Sequence, residues 1–327
     1  MPTSPQHGDY LPTASWENLR RRAELMSRVR EFFHRRGFLE VETPLLSADT
    51  VIDRHLDPFP VSAGGRPEPR QLWLQTSPEF SMKRLLVAGA TAIFQVTRAF
   101  RQGEHGPLHN PEFTMVEWYR VGDAMAEGMQ LLSELGEWLL GRGPAQCLAY
   151  GEAFRHYVGL DPHTAATEAL VEAASLLGVA APASLAAEDR DGWLDLLLAE
   201  RVQPHLGSPR PVILYDYPAS QAALARVRPG PPAVAERFEL YVSGVELANG
   251  YHELVDPAVL RRRNAWNNAC RQADGKPPLP EESRLLAAME AGLPSATGVA
   301  LGFDRVVMLA VGASRLDEVI AFPFDRA

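Results

Sequence analysis

Apolar and polar residues alternate along FQVTRAFR (Phe94–Arg101) and again along EFTMVEWY (Glu112–Tyr119), the period of a half-buried strand. The polar stretch between them carries Gly103, Gly106 and Pro107, which are turn residues. The pair therefore reads as a long-looped antiparallel hairpin whose mouth holds Arg101, Glu104, His109, Asn110 and Glu117. Upstream the period changes. Leu19, Ala23, Met26, Val29 and Phe33 recur at steps of three and four, predicting an amphipathic helix capped by Ser15, running to about Arg36 and closed by Gly37. FLEVETPLL (Phe38–Leu46) then alternates as a strand that Pro44 stops or places at an edge. Leu72–Leu86 predicts a short strand, then Thr76-Ser77-Pro78-Glu79 opening a helix with proline in its first turn. Asp123–Leu140 predicts another amphipathic helix, with Met125, Met129, Leu132, Leu135 and Leu139 on one side.

From about Gly141 the texture becomes rich in alanine, leucine and proline, with helices expected near Ala165–Leu177 and Glu188–Glu200. A buried strand follows at Pro211–Pro218. RFELYVSGVELANGYHEL (Arg237–Leu254) predicts a second hairpin turning at Ser243-Gly244. A two-residue loop sets Val242 against Val245, Tyr241 against Glu246 and Leu240 against Leu247. Glu239 and Glu246 then share a face as diagonal neighbours, roughly 7 Å apart. Two such carboxylates repel unless a cation lies between them or one keeps its proton. Mg²⁺ takes one or two carboxylates plus phosphate oxygens and water, so the pair suits a site beside a nucleotide; three glutamates on a wet sheet face suit the spacing as well. GVALGFDRVVML (Gly298–Leu309) predicts a glycine-flanked strand entering an apolar helix, with Asp304 able to cap it and Arg305 in its first turn. A guanidinium such as Arg101 at a strand end suits a phosphate or carboxylate, and equally a surface ion pair. Glu79 in a first helical turn suits the helix dipole.

The chain has 327 residues, 46% hydrophobic and 22% charged, ordinary globular composition for one large domain or a domain with an insertion. No apolar run reaches the roughly 20 residues of a membrane span, and MPTSPQHGDYLPTAS lacks the pattern of a secretion signal. Cys147 and Cys270 make neither a disulfide framework nor a metal cluster, which suits a reducing cytoplasm. The formal charge of −9 argues mildly against a nucleic-acid partner; Arg261–Arg263 is a basic run on a predicted helix, which suits a solvated face.

The stretch FRQGEHGPLHNPEFTMVEWY (Phe100–Tyr119) resembles motif 2 of the class II aminoacyl-tRNA synthetases, with Arg101 and His109…Phe113 at the expected places and HNPEFT in the wording of the lysine, aspartate and asparagine subgroup. The helix and strand ending in Glu-x-Glu-Thr-Pro resemble motif 1, and Gly298–Leu309 resembles motif 3. GxELxNGxxEL at Gly244–Leu254 is similar to the lysine type. The resemblance covers nearly the whole chain. It implies an α+β fold: a class II synthetase-like antiparallel sheet flanked by helices, spanning residues 15–327 behind a disordered or extended stretch at 1–14, with a helical insertion at about 141–210. Only about 14 residues precede the first helix, too few for an anticodon-binding barrel.

By that likeness the chain uses ATP and Mg²⁺. Arg101 and Arg305 are the catalytic guanidiniums. Arg101, Gln102, Gly103, Glu104, His109, Asn110, Phe113, Glu246, Leu247, Gly302 and Arg305 contact ATP, and Glu239 and Glu246 hold Mg²⁺. Ser77, Pro78, Glu79, Tyr119, Glu253 and Ala300 form the amino-acid pocket, with Glu79 on the amino group and Glu253 facing a side-chain ammonium. Motif 2 often reads Arg-x-Glu, whereas Arg101-Gln102-Gly103-Glu104 displaces the glutamate by one: either the loop puckers so that Glu104 reaches adenine, or Gly103 contributes backbone only. Ser77 and Ala300 stand where lysyl-tRNA synthetases have Ala and Gly. The pattern is similar to the lysyl-tRNA synthetase paralogues that activate lysine or (R)-β-lysine and attach it to a lysine of translation elongation factor P. The expectation is such a ligase: cytoplasmic, homodimeric through motif 1, off the membrane and without anticodon recognition. An ammonia-using asparagine synthetase of class II fold and a non-catalytic paralogue are the alternatives.

Overall fold

The computed structural model describes residues 10–64 and 70–327. Of the stretch expected to be disordered or extended, residues 1–9 lie outside the described residues, while Thr13 is tied to the C-terminal segment through Ala321 O and Ile320 O. Ser15 caps α1 (Trp16–His34) by accepting from Asn18 N. There follow β1 (Leu39–Glu40), β2 (Leu46–Ser47), β3 (Pro60–Ala63), β4 (Arg70–Leu74) and α2 (Glu79–Val87). The long-looped hairpin is β5 (Ala92–Phe100) with β6 (Glu112–Val121). Next come α3 (Met125–Leu140), β7 (Gln146–Ala149), α4 (Tyr150–Tyr157), α5 (Thr167–Leu176), α6 (Arg190–Leu197), which runs into a π-helical turn, β8 (Val212–Pro218) and β9 (Val227–Arg228). The second hairpin is β10 (Val234–Val242) with β11 (Val245–His252); α7 (Pro257–Ala273), α8 (Arg284–Gly292), β12 (Ala296–Gly302) and α9 (Phe303–Ala310) complete the chain.

One sheet runs β1-β5-β6-β12-β11-β10-β8-β7, with β9 on β10. Its interior is antiparallel, as expected, but both edges, β1 on β5 and β7 on β8, are parallel. A small second sheet is β2-β4-β3. One face of the main sheet is covered by α1, α3 and α9, burying Phe33, Leu132, Leu240 and Val307 among others. Burial of such side chains contributes roughly 1.5–3 kcal/mol each. Helices α4–α6 bury Phe154, Trp193 and Leu197 with Tyr217 and Tyr241 of the sheet. A third cluster joins Met82 and Leu86 of α2 to Leu285 and Leu286 of α8. Among the described residues, no helix is long and apolar enough to cross a membrane.

Several expectations shift. The buried stripe of α1 is Leu25, Val29, Phe32 and Phe33; Ala23 is exposed and Leu19 only half-buried. FLEVETPLL is a strand only at Leu39–Glu40 before bending away, and the next ladder starts at Leu46. The 141–210 stretch is not helical throughout, since β7 extends the main sheet. The second hairpin turns at Ser243-Gly244 as expected, with Val242 opposite Val245 and Tyr241 opposite Glu246. A bulge then slips the register, so Leu240 meets Ala248, not Leu247, and Glu239 meets Asn249. Asp304 does not cap α9; Gly302 does. The Asp304 carboxylate instead accepts from Thr114 N at 2.9 Å and pairs with Arg22 at 2.6 Å, tying α9 to β6 and α1.

Candidate active site

The central strands β6, β12 and β11 floor a cleft of about 1080 Å³. It is walled by the 51–56 loop, the segment around α6, and α7. Ser77, Glu79, Arg101, Glu104, His109, Asn110, Phe113, Tyr119, Glu246, Leu247, Glu253, Ala300, Gly302 and Arg305 all line it. Of the expected site residues, Pro78, Gln102, Gly103 and Glu239 do not line it; Gln102 and Gly103 are exposed on the loop and Glu239 is buried. Pro78 occupies the cap position of α2, and Gln102 gives its N–H to Asp57 O.

The deepest part is an acid-rich pocket. Glu79, Glu117 and Glu253 are 8%, 1% and 1% exposed, and one buried cation, Lys83 at 2%, lies among them. Lys83 pairs with Glu79 one turn earlier on α2 and, at 2.6 Å, with Glu253 at the end of β11. Ser77 Oγ accepts from Glu79 N and donates to Glu117 at 2.7 Å; Tyr119 donates to the other Glu117 oxygen at 2.6 Å. Oε1 of Glu253 is buried without a hydrogen-bond partner. Three carboxylates against one ammonium leave an excess of negative charge in a desolvated space, which is costly unless protons or a further cation offset it. Burial, reinforced by Glu79, pushes Glu117 up to about 7. Burial, opposed by Lys83 and reinforced by Glu79, pushes Glu253 up to about 8. The floor beneath is Gly298. A Cβ there would come within 2.2 Å of both Glu253 Oε1 and Tyr119 Cε1, so only glycine lets those two side chains meet.

Two guanidiniums flank the other half of the cleft. Arg101 follows β5, with its guanidinium 5.1 Å from the Phe113 ring centre and 3.6 Å from Glu104. Gly103 has φ +82°, a left-handed turn that brings the displaced Glu104 back into the cleft. Arg305 in the first turn of α9 donates to Leu108 O at 3.2 Å, Glu246 O at 2.8 Å and His109 Nε2 at 2.8 Å. His109 is held neutral, burial and the Arg305 charge both depressing its basicity. Asn110 fixes the loop by donating to Glu112 O and accepting from Phe324 N.

Glu246 faces the cleft 3.9 Å from Arg305, and burial with the Glu239 charge pushes it up to about 7. Glu239 is buried under three donors: Arg237 on one oxygen, Tyr217 and Tyr241 on the other. This donor set fits a divalent cation held chiefly by Glu246, whose ionised form a dication would restore, with Glu239 behind it keeping one lone pair free.

Sequence reasoning missed Lys83 and gave Glu117 no role beyond the hairpin mouth. The signal for Lys83 was its spacing, four residues after Glu79, which on a surface helix is an ordinary ion pair. Asn249 and Tyr251 also line the cleft and bond to each other at 3.1 Å.

A profile of the class II tRNA synthetases (D, K and N) matches residues 6–326. A protein of Salmonella arizonae named elongation factor P–(R)-β-lysine ligase is 48% identical over 320 residues, 97% of this chain and 98% of its own. Proteins of the same name from Klebsiella pneumoniae (strain 342) and Vibrio cholerae are 48% identical over 320 residues and 46% over 326, covering 98% and 99% of their lengths.

Proposed function

The chain belongs to the class II tRNA synthetases of the D, K and N group, and we propose that it is an ATP-dependent ligase which activates (R)-β-lysine, or lysine, as an adenylate and transfers it to a lysine of elongation factor P. The observation that carries the reading is the pocket of Glu79, Glu117 and Glu253 around a single Lys83, with Glu253 Oε1 unpartnered. A diamino acid brings two ammonium groups to a site short of positive charge. One lies within reach of Glu253 and Tyr119, the other near Glu79. An aspartate side chain, which the asparagine-forming alternative requires, would meet carboxylates instead.

The substrate carboxylate then points toward Arg101. Its oxygen attacks the α-phosphorus of ATP, the bond to the β-phosphate oxygen breaks, and pyrophosphate leaves. Arg101 holds the α-phosphate and the carboxylate, and Arg305 the γ-phosphate; positioning and charge neutralisation carry the step without a protein nucleophile. Glu246, backed by Glu239, would hold Mg²⁺, which supplies further neutralisation of the phosphates when bound. The neutral amine of the acceptor lysine next attacks the activated carbonyl, forms the amide, expels AMP and loses its proton. Glu104, returned to the cleft by the Gly103 turn, is assigned to adenine. A homodimer and a cytoplasmic setting, where Cys147 and Cys270 stay free, belong to the same reading.

Intact-mass spectrometry of elongation factor P, incubated with the protein, ATP and either (R)-β-lysine or α-lysine, tests it. The expected result is addition of one aminoacyl group that requires ATP. An unmodified factor with both amino acids would reject the reading.

A further inference from the structure

The acceptor must bring an amine attached to a folded protein down to the floor of the cleft, so part of that protein has to rest on the rim. We propose that the outer face of α7, centred on Arg262 and Trp266, is where it rests, and that the partner is a folded protein presenting a lysine at the tip of an exposed loop. This rests on the ligase reading above and adds the surface by which the second substrate is recognised.

Arg262 and Trp266 are four residues apart on α7 and so share one helix face. Both line the cleft. Trp266 is 56% exposed, and Arg262 is exposed with no carboxylate paired to it among the described residues. The helix itself is not loose. Its opposite face is fixed by Asn268, which donates to Leu279 O at 2.8 Å and accepts from Leu279 N, and by Arg271, which donates to Asp53 O and Leu56 O. Asp256 caps its start. A rigid helix thus holds an uncovered indole and an unpaired guanidinium at the entrance, two of the side-chain types enriched where truncation weakens protein–protein binding. Across the entrance lie Glu188, exposed, and Asp191, which accepts from Ser220. Their carboxylates favour passage of a lysine ammonium, while Arg262 favours an acidic surround on the partner.

The test separates activation from transfer in the full-length protein. Trp266→Ala and the double variant Arg262→Ala/Trp266→Ala are expected to keep lysine-dependent ATP–pyrophosphate exchange, and aminolysis of the adenylate by hydroxylamine, within about twofold of the unaltered chain, as exposed substitutions do. For elongation factor P as acceptor, kcat/KM is expected to fall about tenfold or more through KM, and Trp266→Phe to recover most of it. Unchanged transfer by the double variant would overturn the proposal, as would a parallel loss of the hydroxylamine reaction. Failure of the unaltered chain to exchange pyrophosphate with lysine would strike the ligase reading instead, and this docking face with it.

Discussion

Lys83 is buried between Glu79 and Glu253, so Lys83→Met strands two carboxylates in a buried site. Truncating one partner of a buried pair costs about 3–5 kcal/mol. The melting temperature should fall accordingly, and by more at pH 9 than at pH 6, where the stranded carboxylates can take up protons. The unaltered pocket has a sign of its own. Glu117 and Glu253 titrate higher in the fold, near 7 and 8, than in the unfolded chain. Their contribution to stability is full below about pH 4 and is lost as pH rises through those folded values. The ligand-free protein should therefore lose thermal stability between pH 5 and pH 8, and lysine should restore more of it at pH 8 than at pH 6. Calorimetry in two buffers of different ionisation enthalpy should show protons released as lysine binds at pH 7; binding without proton release would contradict the assignment of raised carboxylates to the site.

At the scale of the element, the pocket depends on how strands β11, β12 and β6 bring their residues together. Ala300 pairs with both Glu117 and Asn249, and Gly298 with both Tyr119 and Tyr251. A methyl group at 298 collides with Glu253 and Tyr119. Gly298→Ala should raise KM for the amino acid at least about tenfold, the order expected for overpacking by 1–3 kcal/mol, and leave KM for ATP unchanged; an equal rise in both would show that the glycine serves the nucleotide instead. Much of this layout was legible in the chain. The alternation at Phe94–Arg101 and Glu112–Tyr119 and the Ser243-Gly244 turn are local signals, and the strands form where they point. The register slip between Leu240 and Tyr241 was not legible, nor was the way Tyr217 and Tyr241 both donate to Glu239 beside it, because these residues meet only in the fold. Lys83 hid for a related reason: its sequence neighbour Glu79 accounts for it on a surface, and only the arrival of Glu253, 170 residues later, makes it a buried cation. β7 is too short at Gln146–Ala149 to announce itself, being a strand only because β8 lies beside it.

For the whole molecule, one sheet gathers side chains from Ser77 to Arg305 into a single cleft, which the motif order led one to expect. A homodimer through motif 1 is the proposed assembly, with α1 as its helix. Its apolar stripe is spent on the protein's own core. Exposed apolar side chains left in this region include Trp16 on α1, 70% exposed, and Leu39 on the edge strand β1, 64% exposed, with Leu45 and Leu46 at 41% and 39%. A Leu39→Glu variant should sediment as a smaller species than the unaltered protein; identical sedimentation would place any dimer elsewhere. The central claim is that the acid pocket and the two guanidiniums act together on one diamino acid and one nucleotide. ATP–pyrophosphate exchange measures that most directly, run with (R)-β-lysine, α-lysine, norleucine and aspartate on the unaltered protein and on Glu253→Ala. The expected result is exchange with a diamino acid, none with norleucine or aspartate, and loss of roughly 100-fold or more in the variant, as removal of a buried charge partner implies. Exchange that is equal with norleucine, or that survives in Glu253→Ala, would contradict it.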